Sequence, residues 1–347
     1  MIRQTYEEIN LKALESNVKS IISQSSEYKY HIGVVKANCY GLGLKCIKSI
    51  IKGGANYLAV SSLEEALSIR KITKEKILIL EPINPKYISL AKENNITLTI
   101  SSLEYLNNVK NQEFTCHIKI NTGMNRLGIN SKEEFDEVYN IIMNSNIALE
   151  GIYTHIYKAS DSKCTNNQFK KFEYITSDID LNTIPIVHIP NSETIFNYKK
   201  KPYINGCRMG IIMYGFSNDI KLNSVFSLIS KVIEIKHIHS GDTVGYDGKY
   251  TATGDESIAV LPIGYADGIL RHNSGRNVYI NGKEYKIVGN ICMDMLFVKV
   301  DENVKVNDEA YIIKDNDHIN QIASHLDTIN YEVMCSISDR VVREYKK

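Results

Sequence analysis

Through the first two thirds of the chain, short runs of β-branched and apolar residues alternate with longer segments of helical period. The runs are HIGVVK (31–36), NYLAV (56–60), KILIL (76–80), ITLTI (96–100), TCHIKI (115–120), LEGIYTH (149–155), PIVHI (185–189) and a weaker RMGIIMYG (208–215). Between them, LEEALSIRKI (63–72), KYISLAKENN (86–95), KEEFDEVYNIIMNS (132–145) and CTNNQFKKFEYITSDI (164–179) repeat apolar residues at spacings of three and four, as a helix with one buried stripe does. Strand followed by helix, repeated eight times, predicts an α/β unit over residues 11–224, an N-terminal parallel (β/α)8 barrel. The competing open doubly wound sheet lacks the Gly-x-Gly-x-x-Gly turn expected after its first strand.

From about residue 225 the segments become short, β-rich and punctuated by turns such as NSGR and INGK. This pattern predicts a smaller C-terminal antiparallel β domain over 225–347.

Composition narrows the function. The 347 residues carry 41 basic and 40 acidic side chains, a net charge of +1, so no field of either sign draws the chain to nucleic acid or an anionic membrane. The seven cysteines are odd in number and contain no Cys-x-x-Cys pair, which reads as reduced thiols with no zinc site or disulfide frame. MIRQTYEEIN has no apolar signal core and no apolar stretch is long enough to span a bilayer, so the expected location is cytoplasmic, with no membrane segment in this chain.

In a (β/α)8 barrel the reactive groups sit where strands end. Applied to these runs, that rule brings Lys36, Lys119, Arg126, His155, Asn191, Ser192, Arg208, Gly210 and Ile211 to one rim. A lysine among other cations loses basicity and can condense with an aldehyde, while backbone N–H groups and a hydroxyl can hold a phosphate. An aldehyde carrying a phosphate is pyridoxal 5′-phosphate.

VVKANCYGLG resembles the cofactor-lysine signature of the alanine racemase family, usually VKANAYGHG. The resemblance continues in order through INTGMNRLG, GIYTH, HIPNSET, RMGIIMYG, VGYDGKYTA, PIGYADG, GNICMDM and INYEV. It implies that Lys36 bonds the cofactor and that Tyr246 is the opposing base, reaching in from the second subunit of a homodimer with shared active sites. It further implies Arg126 at the cofactor's phenolic oxygen and the substrate, Arg208 at its pyridine nitrogen, and His155 behind the ring. The phosphate falls to Tyr40, Asn191, Ser192, Gly210 and Ile211. Lys119 matches a position often carbamylated, Met293 and Asp294 match a loop touching the partner's substrate, and residues 1–10 join the C-terminal domain.

The implied activity is two-base racemisation of a small amino acid. The closing signature, usually near ISYRVPR, reads ISDRVVR here, so Asp339 stands where a tyrosine gate is expected. A carboxylate there would accept a serine hydroxyl that must otherwise be buried without a partner. This leans the expectation to serine, with features resembling vancomycin-resistance serine racemases and hence a membrane-borne half in a longer protein. The alternative is an ordinary alanine racemase supplying D-alanine. Asn121 and Asn125 also depart from the family's Asp and Gly, and Ser160 from an acidic residue. A barrel-type decarboxylase would need a Glu-Gly-Gly rim that is missing, and a barrel-only cofactor-binding protein would lack the domain that carries Tyr246.

Overall fold

Side-chain caps at four helix starts of the barrel unit show why the chain turns into a helix there. Ser62, Ser102, Ser131 and Asp161 each accept a hydrogen bond from the backbone three residues on. Each such cap stabilises a helix start by about 1 kcal/mol. Glu65 and Glu134 reach back from the first turn to the amides of Ser61 and Asn130, closing the same corners from the other side.

A computed structural model describes residues 3–347. It divides into one unit of Leu14–Cys39 and Leu44–Asn223, and another of Tyr40–Gly43, Ser224–Lys347 and the described part of Met1–Ala13. The first strand, β1 (Tyr6–Asn10), belongs to the second unit. The barrel strands are β2 (Tyr30–Val34), β3 (Tyr57–Val60), β4 (Lys76–Ile79), β5 (Ile96–Ile100), β6 (Thr115–Lys119), β7 (Ala148–Tyr153), β8 (Ile186–His188) and β9 (Gly206–Met209). All neighbours run parallel, and β9 pairs back onto β2 to close the ring of eight.

Two expectations need correcting here. The last strand ends at Met209 rather than at 215, because Gly210 turns the backbone (φ −108°, ψ −112°) and the buried run Ile211–Tyr214 coils into a 3₁₀ turn. The helix expected over 86–95 is a 3₁₀ turn at Pro85–Tyr87 followed by a helix at Ile88–Glu93. Helices at Leu11–Gln24, Cys46–Lys52 and Leu103–Val109 supply connections that apolar periodicity did not single out.

Branched aliphatic side chains usually fill such a barrel. Here a polar and aromatic layer crosses it: Tyr57, Thr97, Thr99, His117, Tyr153, His188 and Arg208 are all buried. Tyr153 stacks on His188 with centroids 4.5 Å apart. Gly151 is required by this layer, since a Cβ there would stand 2.6 Å from the His117 ring and 2.8 Å from the Ile186 carbonyl.

The second unit continues with β10 (Phe226–Lys231), β11 (Glu234–Ile238), β12 (Thr243–Val244), β13 (Tyr250–Thr251), β14 (Glu256–Leu261), β15 (Asn277–Ile280), β16 (Lys283–Val288), β17 (Leu296–Val300), β18 (Glu309–Ile313) and β19 (Val342–Lys346). β12 and β13 form a separate ribbon, and the nine others form one sheet in the order β11-β14-β17-β16-β15-β18-β10-β1-β19. Its pairs are antiparallel except β1 with β19, which join the two ends of the chain in parallel. Of residues 1–10 expected in this domain, 1 and 2 lie outside the described residues. The domain is not purely β: helices at Asn316–His325 and Asn330–Cys335 interrupt it. The first is capped by Asp315 and buries Ile319, Ile322 and Ala323, a helical spacing readable in the sequence.

Candidate active site

Lys36 stands two residues after the end of β2, and the backbone after it is unusual. Ala37, Asn38, Cys39 and Tyr40 all take positive φ, between 50° and 57°, forming one left-handed turn without a glycine. Left-handed backbone costs an L-residue roughly 1–2 kcal/mol, so four in succession persist only where surroundings hold them. Glu65 accepts from the Ala37 amide at 2.6 Å, and the Cys39 amide bonds the Val35 carbonyl at 3.1 Å. Cys39 and Tyr40 are buried, and Tyr40 lies against Tyr331 with ring centroids 5.9 Å apart. Gly41 accepts from Arg343 Nε at 2.6 Å and Leu42 from the Tyr345 hydroxyl at 3.0 Å.

Within the barrel unit, Lys119 ends β6, Thr154 and His155 follow β7, and Arg208 lies inside β9 rather than before it. Arg208 is buried, and its terminal nitrogens are saturated. Nη1 donates to His188 Nδ1 at 2.7 Å and the His188 carbonyl at 2.8 Å, while Nη2 donates to the carbonyls of Thr154 (2.7 Å) and Ile189 (3.1 Å) and meets His155 Nδ1 at 3.3 Å. Among the described residues no acceptor takes its Nε–H. Burial lowers the Arg208 pKa to about 10, still far above neutrality.

The cations on this rim repel one another. Burial first, and then Arg126, Arg208 and Lys36, bring Lys119 down to about 8, with Glu81 opposing. Burial together with Arg208, Arg126, Lys119 and Lys36 brings His155 to about 3, so it is neutral at any ordinary pH. Such a cluster suits an anion with more than one negative charge. Ser192 adds to it: its Oγ accepts from the Gly210 amide at 2.9 Å and lies 3.5 Å from the Ile212 amide. Buried Ile211 sits between them. Asn191 spends its side chain on the turn, donating to the Ile156 carbonyl and accepting from Thr194, so it shapes the loop that carries Ser192. A phosphate-bearing pyridine fits these residues, with Arg208 Nε–H as donor for a ring nitrogen.

Arg126 is exposed on the loop after β6, and two departures there explain each other. Asn125 adopts φ 55°, a conformation Asn tolerates far better than most side chains. Asn121 Nδ2 donates to Asn125 Oδ1 (2.9 Å) and Asn130 Oδ1 (2.8 Å), while its Oδ1 accepts from the amides of Gly123 and Asn125. A carboxylate cannot donate. Asn121→Asp is therefore expected to destabilise the barrel unit by about 1–3 kcal/mol, read as a lower urea midpoint. An unchanged midpoint would show that the amide donors do not hold this loop.

The remaining predicted residues lie in the second unit. Tyr246 stands on a 3₁₀ turn, 69% exposed, and Asn290 Nδ2 secures that turn by donating to the Tyr246 carbonyl at 2.9 Å. Asn290 was not anticipated from sequence. Met293 is exposed, and Asp294 pairs with Arg340 at 2.7 Å. Asp339 has a partner within its own unit. Its side chain is 91% exposed and pairs at 3.2 Å with Arg343, four residues on, which also meets buried Glu7 at 3.3 Å. The serine lean, which rested on that carboxylate, gains no support from this pairing.

Comparison with known proteins agrees. Residues 9–218 match the alanine racemase N-terminal domain and 225–345 its C-terminal domain. Alanine racemase 1 of Bacillus subtilis is 36% identical, the match covering 99% of this chain and 93% of that protein. The solved alanine racemase of E. faecalis superposes with a TM-score of 0.94 at 31% identity, over 99% of this chain and 98% of that one. That of Bacillus anthracis, solved with bound L-Ala-P, gives 0.93 at 31% identity over 100% and 96%. These relatives lend nothing to a vancomycin-resistance serine racemase or to a membrane-borne half, and no helix among the described residues is long and apolar enough to cross a membrane. Matched in order through both domains, the chain belongs to the alanine racemase family and is accordingly an isomerase, a racemase working with pyridoxal 5′-phosphate.

Proposed function

We propose that this chain interconverts L- and D-alanine as a homodimer, with Lys36 of one subunit and Tyr246 of the partner subunit handling the proton on opposite faces of the α-carbon. The observation that carries the substrate is the match to alanine racemases through both domains, and Asp339 Oδ1 is already paired with Arg343. The names of the matched relatives support the same reading.

Pyridoxal 5′-phosphate, when bound, supplies the electron sink that makes the α-proton acidic. Lys36 would hold it, and its amine would take or return the α-proton on one face. The Tyr246 hydroxyl, carried on an exposed turn pinned by Asn290, does the same on the other face. Arg208 Nε–H would donate to the pyridine nitrogen of the bound group, and a buried guanidinium that stays charged would leave that nitrogen no room for a proton of its own. Ser192, Gly210 and Ile211 would receive the phosphate. Arg126 would serve the phenolic oxygen and the substrate carboxylate, His155, neutral, would stand behind the ring, and Met293 and Asp294 of the partner subunit would border the substrate.

An apolar niche rejects an added hydroxyl by about a hundredfold at most. Purified enzyme is therefore expected to racemise L-alanine with kcat/KM roughly 10- to 100-fold above L-serine, and Asp339→Asn to leave that ratio within about threefold. Serine turnover equal to or above alanine, reversed by Asp339→Asn, would reinstate the serine reading.

A further inference from the structure

Four polar side chains cross the barrel unit in one hydrogen-bonded file. Arg208 Nη1 meets His188 Nδ1 at 2.7 Å, His188 Nε2 meets His117 Nδ1 at 2.9 Å, and His117 Nε2 meets Glu150 Oε2 at 3.2 Å. His117, His188 and Arg208 are at most 4% exposed, so no bulk water intervenes to reset any link.

The chemistry of the two ends fixes every proton between them. A guanidinium only donates, so His188 Nδ1 is bare and the ring carries its single proton on Nε2. That N–H donates to His117 Nδ1, which must also be bare. His117 then holds its proton on Nε2 and donates it to the Glu150 carboxylate. Neither ring can be an imidazolium without setting two N–H groups face to face. Burial lowers the pKa of both histidines, in agreement.

The far end is itself fastened. Glu150 Oε2 accepts from the Tyr57 hydroxyl at 2.6 Å and the Thr97 hydroxyl at 3.1 Å, and Oε1 pairs with Lys76. Burial alone would raise its pKa, but hydrogen bonds from His117, Lys76 and Tyr57 outweigh that and hold it well below the usual carboxylate range. Gly151, the next residue, has no side chain because His117 occupies that space.

We infer that Glu150 is a positioning residue for Arg208: by demanding a proton from His117 it sets both histidine tautomers, so that Arg208 is held by a bare nitrogen with Nε–H left for a ligand. Without that acceptor, His117 can donate from Nδ1 instead and His188 can place its proton on Nδ1, facing an Arg208 N–H. The guanidinium would then have to move. The consequence for racemisation rests on the proposed placement of Arg208 at the pyridine nitrogen, whereas the tautomers do not.

The test is long-range ¹H–¹⁵N correlation on ¹⁵N-histidine-labelled full-length enzyme, with cofactor bound and after its removal. Both His117 and His188 are expected as neutral Nε2–H rings in either state. Glu150→Gln, whose amide oxygen can replace Oε2 while exposed Lys76 swings away, is expected to keep both tautomers. Glu150→Met is expected to give Nδ1–H signals at one or both rings, to shift the visible absorbance of the bound cofactor, and to lower kcat for alanine roughly 10- to 100-fold with KM nearly unchanged. A proton on His188 Nδ1 in the wild-type enzyme overturns the inference even where Glu150→Met fails to fold. Unaltered tautomers in folded Glu150→Met overturn it too. Altered tautomers with unaltered cofactor absorbance uphold the file and refute instead the placement of Arg208 at the cofactor.

Discussion

Lys36→Ala chains folded together with Tyr246→Phe chains are expected to recover about a quarter of wild-type racemase activity, although either variant alone is nearly inactive. The fraction follows from symmetric pairing: random association makes half the dimers mixed, and each mixed dimer holds one intact site of two. Tyr246 is 69% exposed in the single chain, on a turn that Asn290 of the same unit pins. An exposed tyrosine on a pinned turn is suited to entering another subunit. Mixed dimers demonstrated by mass but devoid of activity would mean that both proton-handling groups come from one chain.

The second large effect concerns Lys119. It is 6% exposed, and burial with Arg126, Arg208 and Lys36 around it lowers its pKa to about 8 from 10.5. Below pH 8 the folded chain bears the full cost of that buried cation, about 3 kcal/mol for a shift of this size. Between about pH 8 and 10.5 the unfolded chain binds the extra proton, so stability rises with pH and the penalty is gone above that range. A neutral amine also adds carbon dioxide, losing one proton to give a carbamate, which would place a negative charge among three cations. Bicarbonate at pH 8 is therefore expected to raise the thermal midpoint of wild-type protein by several degrees, for roughly 2–3 kcal/mol of relieved repulsion. Lys119→Met should show neither the bicarbonate response nor the rise in stability above pH 8. A wild-type midpoint indifferent to bicarbonate would leave Lys119 as a free amine.

Much of this was readable along the chain, for a definite reason. A strand buried on both faces has to be a run such as ITLTI or KILIL, and β4 and β5 occur where those runs do. Residues that end such strands must line the rim, which is how Lys36, Lys119 and His155 were reached from the sequence, whereas Arg208, read as preceding the last strand, lies inside β9. The left-handed turn after Lys36 was not legible, since nothing in Ala-Asn-Cys-Tyr announces four successive positive φ values.

Short-range spacing also decided some pairs, but which pairs was a matter of side-chain direction. Asp339 could meet Arg340 beside it or Arg343 four residues on; Arg340 is drawn instead to Asp294, 46 residues away, and Asp339 falls to Arg343. Asn121 and Asn125 read as two separate departures until the loop showed one amide donating to the other. The barrel's length, strand order and rim were determined by the alternation of apolar and polar residues, because burial acts locally on each strand. The file from Glu150 through His117 and His188 to Arg208 was decided only by closing the ring. Its members lie 33, 71 and 20 residues apart, and hydrogen-bond polarity is set by which nitrogen faces which acceptor, a property no sequence interval contains.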